Sequence, residues 1–297
     1  MTQAPLDDYG KSLLKSYMIC FTVSGQWHAP HLSTRRGTDL IETATRDVEY
    51  WHEDSRMVGL VCAPQRSVDG ATGVLLIHDA FGISDEMVVS ARRLAEIGHA
   101  VFMADVWGDR RTPTSGLEVG HLLASMAADR SRWMARITAA HRTLAAQPEF
   151  AERPVALLGY CFGGSSALEY LRTGADVAGV AAIHPGLDLL EQDWSAAGSG
   201  AVLTCIGADD PMANATMRAT LATALDTTCL DWQAHVYSDT THAFTSPKAA
   251  NSAKPELFAY HPRSTARAWE ATTSFLSELC ASAASLTTHH HTTRTTT

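Results

Sequence analysis

From Val74 onward, short and almost wholly apolar runs alternate with longer stretches of helical spacing. The runs Val74–His78, Ala100–Ala104, Val155–Tyr160, Val177–Ile183, Ala201–Ile206 and His235–Tyr237 carry few charges and read as strands. Between them, residues near 84–97, 116–147, 163–173, 212–226 and 263–284 have the spacing of helices. Strands that tolerate no charge on either face, separated by helices, predict a mostly parallel sheet covered on both sides. Upstream the pattern predicts two antiparallel strands, Asp47–Trp51 and Met57–Ala63, joined by the polar turn His52–Ser55. Residues 1–43 keep no period and read as an irregular extension. After about Ser282 the run SAASLTTHHHTTRTTT has low complexity and no apolar face, which predicts disorder. The expected organisation is therefore an extension over 1–43, one α/β domain over 44–282 and a tail over 283–297.

Composition narrows the class. The chain has 297 residues, 45% hydrophobic and 19% charged, enough apolar content for a buried core. Net charge is −9 and no block of Lys and Arg exceeds two, so the basic footprint of a nucleic-acid binder is missing. No run approaches the roughly 18–20 apolar residues of a membrane span. Near the N-terminus Asp7 and Asp8 precede Lys11 and Lys15, and the apolar run Tyr17–Val23 is short, a poor secretion signal. The six cysteines, Cys20, Cys62, Cys161, Cys205, Cys229 and Cys280, are irregularly spaced without a CxxC pair, which argues against a zinc site or disulfide framework. Cys62 and Cys205 fall in strands as buried thiols, as suits a reducing, cytoplasmic setting. His289–His291 sit in the tail, where a histidine triplet seldom has a structural role.

The strongest chemical signal is the segment Val155-Ala156-Leu157-Leu158-Gly159-Tyr160-Cys161-Phe162-Gly163-Gly164. An apolar strand runs into G-x-C-x-G and then into the helix opening Ser165-Ser166-Ala167-Leu168. This is the strand–turn–helix arrangement of a nucleophile elbow, with cysteine in the serine position. The glycines have a steric reason: side chains at 159 and 163 would collide where strand and helix meet. The turn also sets the Cys161 sulfur at a helix N-terminus, which favours negative charge. The bland alternative is a glycine-rich turn around an inert cysteine. A phosphate-binding loop fits less well, because G-x-G-x-x-G is not met and no GK[ST] follows.

Such an elbow needs an acid and then a histidine downstream. The strand Ala201–Ile206 ends in Gly207-Ala208-Asp209-Asp210-Pro211, and an acid at that strand edge reaches the active-site rim. The strand ending at Tyr237 leads to Thr241-His242-Ala243-Phe244, a loop histidine. Asp209 and Asp210 both qualify as the acid, and either could instead cap the helix after Pro211.

At these residues the sequence resembles the dienelactone hydrolase family over about residues 45–280, and the resemblance implies an α/β-hydrolase fold. Gly159–Gly164 resembles the family's cysteine elbow. Gly207–Pro211 resembles its G-x-x-D-P acid loop, which points to Asp210. Thr241-His242-Ala243-Phe244-Thr245-Ser246-Pro247 resembles its histidine loop. Ile77-His78-Asp79-Ala80-Phe81-Gly82 resembles its H-E-x-F-G segment, and Ala91–Ala95 and Ala104–Gly108 continue the pattern. The chain departs from the family twice. Asp79 stands where many members have a glutamate that partners the resting thiol. Ser246 stands where members acting on dienelactone have the second of two arginines that bind the substrate carboxylate, leaving Arg110 or Arg111 as the first.

The resemblance and the elbow together imply a Cys161–His242–Asp210 triad, with an oxyanion hole made by the backbone N–H groups of Phe162 and Ala80. Trp107, Tyr160 and Phe244 flank the motifs as candidate walls of an apolar pocket, with ordinary packing as the alternative. The expected reaction is hydrolysis of a small ester or lactone through a thioester acyl-enzyme, without metal or organic cofactor. No nucleic-acid or membrane partner is expected, and a monomer is. A general carboxylesterase or thioesterase, or a non-catalytic binding protein on the same fold, are the rival readings.

Overall fold

The computed structural model describes residues 41–292 except 67 and 69, with side chains described as far as Ala281. Most of the expected extension, the residues beyond 292 and the histidine triplet's side chains lie outside the described residues. Eight strands form one sheet in the order β1-β2-β4-β3-β5-β6-β7-β8. They are β1 (Thr43–His52), β2 (Ser55–Pro64), β3 (Gly73–Ile77), β4 (Ala100–Ala104), β5 (Val155–Tyr160), β6 (Gly179–Ile183), β7 (Ala201–Gly207) and β8 (Trp232–Tyr237). β1 and β2 pair antiparallel with each other, and β2 with β4; every later pairing is parallel. This is the α/β-hydrolase fold that the resemblance implies, with the mostly parallel sheet that the strand and helix pattern predicts.

Burial explains the composition of each strand. β3, β4 and β6 are buried at every position, and accordingly they read GVLLI, AVFMA and GVAAI. β1 lies at the sheet edge, is mostly exposed, and carries Arg46, Asp47 and Glu49 there, charges that discourage pairing with another chain. Its hairpin to β2 turns at Glu53, held at φ 51°.

Six α-helices cover the sheet among the described residues. They are α1 (Asp85–Glu96), α2 (Gly116–Ala128), α3 (Arg130–Ala145), α4 (Phe162–Arg172), α5 (Ala215–Thr227) and α6 (Pro262–Thr292). α1 and α6 pack on one face with Met87, Leu94, Phe275 and Leu276, and the other four pack on the opposite face with Leu123, Trp133, Ile137 and Leu168. The single helix expected over 116–147 is two helices. Asp129 ends α2 by leaving helical geometry (φ −129°, ψ 78°), and its carboxylate accepts the Arg132 N–H to start α3. The stretch 212–226 is likewise divided: a 3₁₀ turn at Pro211–Ala213 precedes α5, whose cap is Asn214. α6 continues as backbone to Thr292, past the point where its amphipathic pattern ends.

The parallel register aligns the carboxyl ends of the strands: Ile77 sits opposite Gly159, Tyr160 opposite Ile183, and Ile183 opposite Cys205. The loops after β3, β4, β5, β6, β7 and β8 therefore converge on one edge. That edge is where ligands bind in open α/β sheets.

Candidate active site

The backbone of the elbow dictates the rest of the site. Cys161 joins β5 to α4 at φ 53° and ψ −118°, a region that non-glycine residues rarely occupy. The turn is held by Cys161 N–H donating to Ile183 O (3.0 Å) and Ser165 N–H donating to Cys161 O (3.1 Å). A Cβ at Gly159 would lie 2.0 Å from Gly163 O, and one at Gly163 would lie 2.1 Å from Ile77 O. Both contacts are with backbone that cannot retreat, so the steric reason for the two glycines stands on this geometry.

The downstream acid and histidine meet the cysteine. His242 Nδ1–H donates to Asp210 Oδ2 at 2.8 Å, and His242 Nε2 lies 3.1 Å from Cys161 Sγ. Asp210 Oδ1 accepts the Met212 N–H at 2.9 Å, which fixes the second carboxylate oxygen. Asp209 is exposed on the same loop, and its contribution there is a backbone bond to Thr240 O. His242 is anchored through its own backbone, donating to Leu257 O and accepting from Ala259 N–H, while Phe258 meets its ring edge-on.

Electrostatics set the histidine's charge. Burial by itself lowers the affinity of His242 for a second proton. The Asp210 carboxylate and the Cys161 sulfur outweigh burial and hold its pKa well above the ordinary histidine range. A protonated imidazole donates from both nitrogens, one bond to Asp210 and one to the sulfur.

Asp79 is placed differently from the expected thiol partner. Its Oδ1 accepts the Phe81 N–H at 2.8 Å within its own loop, and the sulfur's close partner is His242. Burial pushes the Asp79 pKa up to about 7, with Phe81 N–H pulling it down and Glu86 adding to the rise.

The expected oxyanion donors flank the elbow. Phe162 opens α4, so its N–H is one of the helix's first, which have no acceptor within the helix. The Phe162 ring stacks between Trp107 (4.6 Å between centroids) and Trp133 (5.2 Å). Trp107 Nε1–H in turn donates to Ala80 O at 3.2 Å. Trp107 is thus buried between the two expected donor residues, in the packing role that the sequence equally allows. Tyr160 and Phe244 likewise take the packing alternative. Strand alternation turns Tyr160 to the packing layer opposite that of Cys161, and Phe244 is fully buried in that same opposite layer.

The arginines are spoken for. Arg110 pairs with Asp47 and Arg111 with Glu118. Both engage carboxylates of this chain at the periphery.

Several residues at this edge carry no catalytic motif that marks them in the sequence. His184, directly after β6, is buried against His242 with ring centroids 5.2 Å apart, and its Nε2 meets Thr245 Oγ1 at 2.7 Å. Burial, helped by the charge on His242, holds its pKa well below the ordinary value, so it stays neutral. Asp188, in the 3₁₀ turn Leu187–Leu189, has its pKa pushed up to about 6 by burial, with His242 pulling the other way. Asp105 accepts N–H bonds from Val58, Gly108 and Arg110 and shapes the loop after β4. Arg136 donates to the Val106 and Trp107 carbonyls of that loop. A common signal marks His78, Asp105 and His184: each is a polar residue at or just past the carboxyl end of an apolar strand. Among the described residues no three His, Cys, Asp or Glu side chains gather as a metal site, and no helix is long and apolar enough to cross a membrane.

A model of the dienelactone hydrolase family matches residues 57–280. A protein named m3DLH is 32% identical with a TM-score of 0.74, over 80% of this chain and 98% of its own. The dienelactone hydrolase-like promiscuous phosphotriesterase P91, from metagenomic libraries, is 31% identical with the same TM-score and coverage. A dienelactone hydrolase from Anabaena variabilis shares 18% identity and a TM-score of 0.55, over 78% of this chain and 96% of its own, a likeness of fold. No curated protein sequence matches the chain.

Proposed function

The chain belongs to the dienelactone hydrolase family, and from that premise we propose that it hydrolyses a carboxylic ester or lactone with Cys161 as nucleophile. The observation that carries the reading is the continuous hydrogen-bonded chain from Asp210 through His242 to Cys161 Sγ at the elbow. In the acylation step the sulfur attacks the ester carbonyl carbon and the carbonyl π pair moves onto oxygen. The N–H groups of Phe162 and Ala80 receive that charge, and each such donor contributes on the order of 10²–10³ in rate. His242 Nε2–H protonates the leaving alkoxide as the C–O bond breaks, leaving a thioester on Cys161. His242, now neutral at Nε2, takes a proton from water, which attacks the thioester and expels the thiolate. Asp210 holds the imidazole in the tautomer both half-reactions use. No step draws on a metal or organic cofactor.

A thiolate leaves more readily than an amide nitrogen, so amides suit this nucleophile poorly and strained lactones or activated esters suit it well. The experiment is a panel of aryl esters, lactones and thioesters run with wild type and Cys161→Ala side by side. Because a relative 31% identical is a promiscuous phosphotriesterase, the panel includes an aryl phosphotriester. Turnover by wild type and none by Cys161→Ala is expected for the esters or lactones. Full activity in the alanine variant overturns the reading, and silence across the panel favours a binding protein on a hydrolase fold.

A further inference from the structure

We propose that His78 is a positioning residue that aims the Ala80 N–H into the oxyanion hole by holding the Asp79 carbonyl on the other side of the same peptide. The proposal rests on the nucleophilic reading of Cys161.

The tautomer of His78 follows from its partners. His78 is fully buried immediately after β3. Its Nε2 lies 3.1 Å from the Val106 backbone N–H, which can only donate, so Nε2 is the bare acceptor. Its Nδ1 lies 2.5 Å from Asp79 O, which can only accept, so Nδ1 carries the proton. Both ring nitrogens are therefore committed, and burial lowers the pKa and favours the neutral ring those bonds require.

The Asp79 carbonyl and the Ala80 N–H belong to one peptide group. In a planar trans peptide they point in opposite directions. A donor that fixes the carbonyl therefore fixes the line along which the N–H points. The next peptide is fixed from both sides as well: Trp107 Nε1–H donates to Ala80 O, and Phe81 N–H donates to Asp79 Oδ1. The imidazole also packs against Trp107 (5.3 Å) and Phe162 (6.4 Å), and Trp107 stacks on Phe162. The two residues expected to supply oxyanion N–H groups are thus tied into one unit through His78 and Trp107. Preorganisation of this kind is what gives an oxyanion hole its catalytic value, because donors already in place need no reorientation as charge develops.

Two substitutions separate positioning from bracing. His78→Asn keeps an amide N–H near the Nδ1 position and can still hold Asp79 O, but it gives up Val106. His78→Gln reaches the Nε2 position and can accept from Val106, but it gives up Asp79 O. Each variant is compared with wild type for kcat, KM, affinity for an aryl trifluoromethyl ketone, and rate of Cys161 alkylation by iodoacetamide. The ketone forms a tetrahedral adduct whose oxyanion needs the hole; alkylation does not. The expected result for His78→Gln is a fall in kcat of about 10²-fold, a similar loss of ketone affinity, little change in KM, and alkylation near the wild-type rate. His78→Asn is expected to stay within about tenfold of wild type in kcat. Equal losses in the two variants, or a His78→Gln that keeps its ketone affinity, overturn the proposal. An active Cys161→Ala sinks instead the nucleophilic reading beneath it.

Discussion

Asp210 Oδ2 and His242 Nδ1 lie 2.8 Å apart with both side chains fully removed from water, while Asp209, one residue away, faces solvent. The sequence allowed either acid by position; burial and contact distinguish them. The neighbouring Met212 N–H occupies the other Asp210 oxygen, so the carboxylate cannot rotate away from the imidazole.

From this pair we expect Asp210→Asn to lower kcat by up to about 10⁴, as when a triad acid loses its charge and the imidazole its favoured tautomer. Asp209→Asn is expected to change kcat by less than threefold, since its tie to Thr240 runs through the backbone. Steady-state kinetics of the two variants on one activated ester checks the ranking, and the reverse order would reject it.

The elbow glycines make a prediction about stability. Gly159→Ala would force a Cβ to 2.0 Å from the Gly163 carbonyl oxygen, and Gly163→Ala would force one to 2.1 Å from Ile77 O. Each requires β5, α4 and β3 to separate where they carry the nucleophile. We expect losses of at least about 3 kcal/mol, at or above the usual range for overpacking. Urea unfolding followed by circular dichroism measures this, and an alanine variant with a wild-type midpoint would show that the turn relaxes.

What the sequence made legible was whatever a local pattern can encode. β4 and β5 stand where their apolar runs place them, because a strand buried on both faces has to be apolar throughout. Cys161, Asp210 and His242 were legible because each follows a strand of the same parallel sheet, and parallel strands deliver their following loops to one edge. The helix break at Asp129 was not, since a single capping aspartate interrupts an otherwise continuous helical period. Nor were the roles of Trp107, Tyr160 and Phe244. An aromatic beside a motif can face the cavity or the core, and the alternation of β5 sends Tyr160 to the far side. His184 carries no local signal of its role, because its partners, Thr245 and His242, lie about sixty residues away in sequence, where no local period reaches.

Asp79 gives a prediction about pH. Its pKa is pushed up to about 7, chiefly by burial, against about 3.9 for an exposed aspartate. Between those values the folded protein holds a proton that the unfolded chain has released. Folding stability contributed by this group therefore falls as pH rises from about 4 to about 7 and is level above that. The full shift corresponds to at most about 4 kcal/mol, and the partial exposure of the residue reduces it. Asp79→Asn removes the titration and keeps an oxygen for the Phe81 N–H. Unfolding midpoints at pH 5 and pH 8 should show wild type losing stability between them and the variant losing less. Parallel changes in the two proteins would show that Asp79 ionises in the fold as it does in water.

The last prediction concerns substrate charge. A carboxylate entering a site needs cationic donors to offset its lost hydration. Arg110 and Arg111, the arginines the sequence nominates, are engaged by Asp47 and Glu118, and Ser246 stands at the other expected position. Asp79 and Asp188, held toward their neutral forms by burial near the elbow and the histidine, supply no cationic partner there. An exposed ion pair is worth roughly 0–1 kcal/mol, too little to reverse that balance even if one arginine released its partner. Neutral esters or lactones should therefore be hydrolysed at least as well as carboxylated ones. The measurement is kcat/KM for a matched pair of activated esters, one with a free carboxylate and one with a methyl ester in its place. Arg110→Ala and Arg111→Ala should leave the ratio between the two substrates unchanged within about twofold, since each arginine is committed to the protein's own carboxylate. A preference for the free acid above about a hundredfold, roughly 2.7 kcal/mol of transition-state binding, would refute this charge argument and require a cationic group at the site beyond these two.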